Sequence, residues 1–243
     1  MLNMICSEFL KLKKTYMAPV ILIGGLSSTI LMVIAKMMTG EYMGFEKYAY
    51  NIEMLNNLML YIILFSLIAA YVFSREFIDK TANVLYSYPV NRIKIFISKL
   101  ITVYILIIFT YLIETVSIPL SHYFLYGAFP KESLIIKDIK ANSLSMLFQF
   151  LLVPIPILIG NISKNIIMPS IYGILCFISS NIAANNNAVG NLKYIPLTAP
   201  YFSCIWVYNI ERVDLNRVVI YSILCFVLFM TVSIYDFYKM DIS

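Results

Sequence analysis

Apolar residues run along this chain in long blocks separated by short charged segments, a pattern too continuous for a soluble core. A helix needs about 20 apolar residues to cross a bilayer. Six blocks fit that length: 17–38, 54–73, 100–126, 144–161, 166–184 and 218–238. Only the sequence ISKN separates the fourth from the fifth, so these two form a tight hairpin. Pro154 and Pro156 should kink the fourth; such kinks are tolerated when neighbours satisfy the freed backbone groups. The first block is longer than the apolar region of a signal peptide and is closed by no small-x-small site, so it is read as a retained span. Ahead of it, Leu2, Ile5, Phe9, Leu12 and Tyr16 recur at helical spacing and form one stripe, with Glu8, Lys11 and Lys14 on other faces. Residues 1–16 are expected to lie as an amphipathic helix on the membrane surface. The alternative is a first span extended into water.

Composition agrees with the pattern. The 243 residues are 61% hydrophobic and only 13% charged, and mean hydropathy is +0.84. Soluble domains carry about a quarter charged residues. The net charge of +5 matters less than its placement. With the N-terminus inside, the first two cytoplasmic segments hold Lys11, Lys13, Lys14, Arg75, Lys80, Arg92, Lys94 and Lys99. The first outer loop holds Lys47 against Glu41, Glu46 and Glu53. Lys and Arg gather on the cytoplasmic side, and early segments usually dominate. Both termini are therefore expected in the cytoplasm. The expected fold class is all-α: an integral membrane protein with six transmembrane helices, an N-terminal amphipathic helix and a cytoplasmic coupling helix, in one domain over 1–243.

The stretch 75–99, REFIDKTANVLYSYPVNRIKIFISK, is far longer and more charged than a turn between spans requires. Glu76 and its charged neighbours follow the second span directly. Val84, Leu85 and Tyr88 share one side of a short helix that Thr81 could cap with its hydroxyl and that Pro89 ends. Arg92, Lys94 and Lys99 then lead back into the membrane. A short surface helix between two charged collars is a docking geometry for a soluble partner; the alternative is an ordinary amphipathic loop. At the other side of the membrane, 185–217 begins with polar turn sequence and continues with an apolar aromatic stretch broken by Pro196 and Pro200. Residues 198–210 are too few to span, and Tyr201, Trp206 and Tyr208 suit an interface. A re-entrant or interfacial element is expected there.

Several chemistries are disfavoured. No glycine precedes lysine, so the G-x-x-x-x-G-K phosphate loop is missing. The single histidine, His122, cannot supply an H-E-x-x-H zinc site or a pair of acid–base histidines. The four cysteines show no metal spacing and no loop-borne disulfide set. No metal site, no catalytic residue and no nucleic-acid partner are expected.

The order of elements, with SEFLKLKK before the first span and Glu76, Thr81, Pro89, Arg92 and Lys99 between the second and third, resembles the permease subunits of the ABC-2 transporter class. More narrowly, it is similar to the lantibiotic-immunity and bacitracin-resistance permeases of low-GC Gram-positive bacteria. The family pattern is an acid, a Thr, a Pro-x-x-Arg and a Lys leading into helix three. Where the family has Gly before the Thr, this chain has Lys80, which bears on how tightly the chain turns. The resemblance implies a plasma-membrane protein whose six helices form half of a transporter. Two halves pair, as a homodimer or with a related permease, and each docks on a separate ABC ATPase that holds ATP and Mg. Residues 82–88 would then be the coupling helix, braced by the N-terminal helix, and no cofactor would bind this chain.

Two polar sets remain. Glu114 lies about 21 Å along the third span at 1.5 Å per residue, where an acid costs at least about 2.5–3.5 kcal/mol by analogy with Asp. It should face the dimer interior, a cavity or a basic partner, in a gating or a structural role. Lys131, Lys137, Lys140, Arg212 and Arg217 could attract a pyrophosphate headgroup or an acidic peptide at the outer face; the alternative is solvated loop charge. The functional expectation is an exporter subunit protecting against a peptide antibiotic of bacitracin or lantibiotic type. The rivals are an exporter of another drug or lipid, a membrane enzyme acting on lipid-linked phosphate, and a non-transporting assembly or sensor protein.

Overall fold

The computed structural model describes residues 1–13, 15–82, 91–185 and 195–239. Among them every regular element is helical. In chain order these are α1 (Leu2–Lys13), α2 (Met17–Thr39), α3 (Phe45–Leu55), a π-helical turn (Asn56–Leu60), α4 (Tyr61–Ile78), α5 (Arg92–Tyr126), α6 (Glu132–Leu152), α7 (Pro154–Ser163), α8 (Ile167–Asn185), a 3-10 turn (Pro196–Thr198), α9 (Ala199–Tyr208) and α10 (Leu215–Lys239). Lys14, Val84, Leu85, Tyr88 and nearly all of the expected coupling helix lie outside the described residues.

Five continuous stretches are long and apolar enough to cross a membrane: Met17–Thr39, Phe45–Ile78, Arg92–Tyr126, Glu132–Ser163 and Leu215–Lys239. The remaining apolar helix is shorter, over Ile167–Ile182. Three of the long stretches begin well before the expected boundaries. Phe45, Tyr48, Ala49 and Ile52 already keep helical spacing and are buried, so the second stretch starts about two turns before residue 54. Asn91 caps α5 by accepting the Ile93 amide at 2.9 Å, so that helix begins at Arg92. The fourth starts at Glu132 because Asp138, Ala141, Asn142, Ser145, Phe148, Gln149 and Leu152 form one buried stripe.

Helices α4 and α5 form the centre, and α2 and α10 lie at the periphery. The most apolar window is 67% buried in Phe45–Ile78 and 61% in Arg92–Tyr126, against 28% in α2 and 17% in α10. Leu22, Ile23, Ile30 and Leu31 on α2, and Ile220, Leu224, Val227 and Leu228 on α10, face outward. In water so large an apolar surface would drive association; against lipid it costs nothing. One core joins Phe65, Ile68 and Phe73 of α4 to Phe96, Val103 and Ile107 of α5 and Phe237 of α10. A second, at the opposite end of the bundle, joins Phe45, Tyr48 and Ile52 of α3 to Ile118, Ala141, Cys204 and Tyr208.

Lipid offers no hydrophobic drive between helices, so contact depends on close approach and on polar pairs. The α2–α5 seam has both. A Cβ on Gly25 would come within 2.9–3.0 Å of Ile113 and of the Thr110 carbonyl. One turn on, Thr29 Oγ1 and Ser117 Oγ share a hydrogen bond of 2.9 Å.

At the expected kink around Pro154 and Pro156, α6 ends at Leu152 and α7 begins at Pro154, with Val153 between them still in helical conformation (φ −53°, ψ −36°). A proline lacks the N–H that would bond the carbonyl four residues earlier, here that of Phe150. The Tyr104 hydroxyl of α5 donates to that carbonyl at 3.2 Å instead. Ser233 of α10 donates to the Pro154 carbonyl at 3.1 Å. Tyr104→Phe should therefore leave a carbonyl unsatisfied and cost about 1–3 kcal/mol. Thermal unfolding of the purified protein in detergent is the measurement, with a lowered midpoint expected.

Candidate functional site: a buried charge clamp and a polar seam

The acid and the lysine that bracket 75–99 meet inside the protein. Lys99, entirely buried on α5, forms an ion pair with Glu76 of α4. It also donates to the Val72 carbonyl at 2.7 Å. The N-terminal helix completes the group: Lys11 reaches Glu8 at 2.5 Å and Glu76 at 3.1 Å, and Glu8 lies 3.9 Å from Lys99. Two carboxylates and two ammonium groups thus tie α1, α4 and α5 together with no net charge. That balance lets the cluster survive burial, since an unpaired buried ion costs several kcal/mol. Burial alone would lower the Lys11 pKa, but the Glu8 and Glu76 carboxylates outweigh it and hold it above the ordinary lysine value. The sign follows from linkage: this contribution is complete below the ordinary lysine value of 10.5 and is lost as pH rises through the higher folded value.

The turn out of α4 carries the Lys80 departure. Lys80 has φ 56°, in the left-handed region. The Thr81 amide returns to the Glu76 carbonyl at 2.9 Å and the Lys80 amide to Phe77 at 3.2 Å. This is the Schellman closure, in which glycine at the left-handed position carries no Cβ penalty. Lys80 makes the same turn with the penalty, and Thr81 stands exposed just after it. On the far side, Arg92 Nη1 donates to the Tyr238 carbonyl near the end of α10 at 2.9 Å, a favourable place for a cation. Glu76 and Lys99 therefore meet in one cluster, while Arg92 ties the start of α5 to α10.

A second polar region runs through the rest of the bundle. Glu114, fully buried, accepts from Asn56 Nδ2 through one oxygen and from the Tyr61 hydroxyl through the other. Its partners are thus neutral donors of its own chain and not the basic group expected as one option. The π turn makes this possible, because the extra residue lets consecutive Asn56 and Asn57 both face inward. Asn57 accepts from Tyr111 at 3.1 Å and donates to Cys204 Sγ at 3.3 Å. Ser145 lies 2.9 Å from Cys204 Sγ and donates to the Pro200 carbonyl at 3.0 Å. These bonds fasten α9 to α6 and to the π turn.

Of the five cations expected at the outer face, Lys137 pairs with Glu46 and also lies 5.4 Å from the Tyr208 ring centre. Lys140 lies 5.2 Å from that of Trp206. Arg217 pairs with Asp214 at 3.0 Å. Lys131 and Arg212 are exposed and belong to neither of these contacts. Tyr201 and Tyr208 are buried against the bundle and not spread on an interface. Beside them an open groove of about 500 Å³ is lined by Phe45, Glu46, Tyr50, Leu134 and Tyr208.

Sequence reasoning missed Glu53 and Asp138, both fully buried near Tyr208. The available signal was the stripe of Asp138, Ala141, Asn142 and Ser145 at spacings of three and four, hidden because its polar members lower the local hydropathy.

Residues 4–180 match the model of a family described as ABC-2 family transporter protein. The chain belongs to the ABC-2 transporter family. No curated protein and no solved structure matches it. Membership makes this ABC-2 protein a multi-pass membrane permease of an ABC transporter, a transport subunit rather than an enzyme, and implies an ABC ATPase subunit as its partner. Among the described residues no three potential metal ligands of the His, Cys, Asp or Glu type gather.

Two variants test the clamp. Lys99→Met strands Glu76 beside Lys11 alone and should cost about 3–5 kcal/mol, as breaking a buried pair does; loss of folded protein in size-exclusion chromatography or a large fall in thermal midpoint is the expected result. Lys80→Gly should stabilise the ABC-2 protein by about 1–2 kcal/mol, the cost of a Cβ in the left-handed region, and raise the midpoint.

Proposed function

We infer that this permease is half of an ATP-driven exporter, that its cytoplasmic segment takes the thrust of a separate ATPase, and that its cargo is a peptide antibiotic of bacitracin or lantibiotic type. The observation carrying the mechanical part is the Glu8–Lys11–Glu76–Lys99 clamp. It holds both ends of the segment between Asp79 and Asn91 to the N-terminal helix, so force applied to that segment passes into α4 and α5 together. The coupling helix of this reading is 82–88, with Val84, Leu85 and Tyr88 as its docking side and Thr81 and Arg92 at its two ends. ATP and Mg belong to the partner chain.

In this reading both termini face the cytoplasm of a low-GC Gram-positive cell, α8 makes the sixth crossing, and 185–217 forms an outer re-entrant element. Two permeases, identical or related, pair in the plasma membrane. The resemblance of SEFLKLKK and of Glu76, Thr81, Arg92 and Lys99 to the antibiotic-immunity permeases supports the cargo. Lys131, Lys137, Lys140, Arg212 and Arg217 would offer an acidic headgroup or peptide its first contact, and Glu114 would take part in gating.

The test is co-purification with the cognate ATPase, followed by ATP turnover with and without bacitracin or a lantibiotic. Turnover that rises with either peptide supports the proposal. Turnover that responds only to other drugs or lipids replaces the cargo. Cleavage of lipid pyrophosphate by the permease alone overturns the transport reading. Replacing Val84 and Leu85 with Asp should leave the protein in the membrane and release the ATPase; an ATPase still retained would refute the docking assignment.

A further inference from the structure

Glu53 of α3 and Asp138 of α6 face each other at the end of the bundle opposite the clamp. Both are fully buried, and shared donors bring one oxygen of each carboxyl to the same place. They share the same two donors. Tyr208 OH lies 3.0 Å from Glu53 Oε1 and 3.4 Å from Asp138 Oδ1. Asn142 Nδ2 lies 3.1 Å from the first and 3.4 Å from the second. The donors satisfy one oxygen of each carboxyl. Glu53 Oε2, Asp138 Oδ2 and the Asn142 carbonyl oxygen remain buried with no donor at all.

Three buried acceptors with no donor call for a positive partner, because two carboxylates in contact cannot both stay ionised without one. The neighbours do not supply it. On α3 the charged and titratable groups near the pair are Glu46 and Tyr50; on α6, Lys137; on α9, Cys204 and Tyr208; on α5, Glu114 and His122. Lys137 is the one cation among these, and it is engaged by Glu46. His122 turns to the Met43 carbonyl at 3.3 Å and to the Phe45 and Tyr48 rings. Cys204 offers Glu53 no more than a weak thiol donor, and Glu114 adds a further acid. A metal ion would need more ligands than two carboxyls and an amide in so closed a space. A proton needs no volume, and it turns the contact between the two acids into a hydrogen bond.

We propose that Glu53 and Asp138 hold one proton between them, and that this shared proton closes α9 over α3 and α6. Tyr208 links the pair to the outside: its hydroxyl binds both acids and its ring forms one wall of the groove. When base removes the proton to water, two adjacent negative charges remain under Tyr208 and repel. The α9 helix then loosens and the groove widens. This is a proton-sensing latch on the groove, independent of which cargo the exporter carries.

Infrared spectroscopy of the purified full-length protein reads the proton directly. At neutral pH the carbonyl band of an un-ionised carboxylic acid is expected. Glu114, and Asp236 of α10, whose Oδ2 is buried without a donor, are the other candidate sources of such a band. The band should shift in heavy water, persist in a Glu114→Gln/Asp236→Asn double variant, and lose intensity or shift when Glu53→Gln or Asp138→Asn is made. With Cys6, Cys176 and Cys225 replaced by Ser, alkaline pH should speed labelling of buried Cys204 more in the wild-type background than in Asp138→Asn, which controls for the thiol's own ionisation. If Glu53→Gln and Asp138→Asn do not fold, the double variant decides alone. A band surviving there supports the shared proton, and its absence overturns it. A band unaffected by both single variants, or stability that depends on sodium or potassium in place of the band, also overturns it.

Discussion

Lys99 is an ammonium group with no exposure to solvent, and the end of the bundle that holds α1 is organised around keeping it paired. Glu76 neutralises it, the Val72 carbonyl takes another of its hydrogens, and Glu8 and Lys11 bring the local sum to zero. Any one of these charges alone would be prohibitive in that setting. Together they fix where α1 lies, how α4 ends and how α5 begins. The N-terminal helix is thus joined to α4 and α5 through ions as well as through Phe9 and Leu12, which pack on the core.

The same requirement, that polar groups away from water find partners inside the protein, explains the irregular backbone. Pro154 breaks a helix where Tyr104 and Ser233 can reach the neighbouring carbonyls. The π turn at Asn56–Leu60 brings two amides inward where Glu114, Tyr111 and Cys204 await them. Deviations from a regular helix coincide with polar side chains from another helix. They hold the bundle together where lipid-facing leucines and isoleucines add no attraction between helices.

Hydropathy located the apolar middles of the spans well and their ends poorly. The first run, 17–38, differs from Met17–Thr39 by a single residue. The second, third and fourth helices start earlier than their apolar cores because they continue as buried polar helices. Glu53 was counted as a loop acid and Asp138 passed unnoticed, since a hydropathy window averages them with lysines on the opposite face. Helical spacing, read without regard to polarity, would have joined Phe45, Tyr48 and Ile52 into α3 and Asp138, Asn142 and Ser145 into α6. Glu76 and Lys99 were legible as motif residues. Their union with Glu8 was not, because nothing local in the sequence says that a surface helix folds back onto the start of α5. The family resemblance rested on order and motif, which survive errors in helix ends.

The clamp also sets an order of events during synthesis. Glu8 and Lys11 leave the ribosome first, yet Lys99 follows about 90 residues later, after two spans have entered the membrane; contacts so distant in sequence form slowly. Until then the leading helix lacks its ionic partners on α4 and α5. Arrival of α5 seals it in place, so the beginning of the chain is among the last parts of that end of the bundle to be locked.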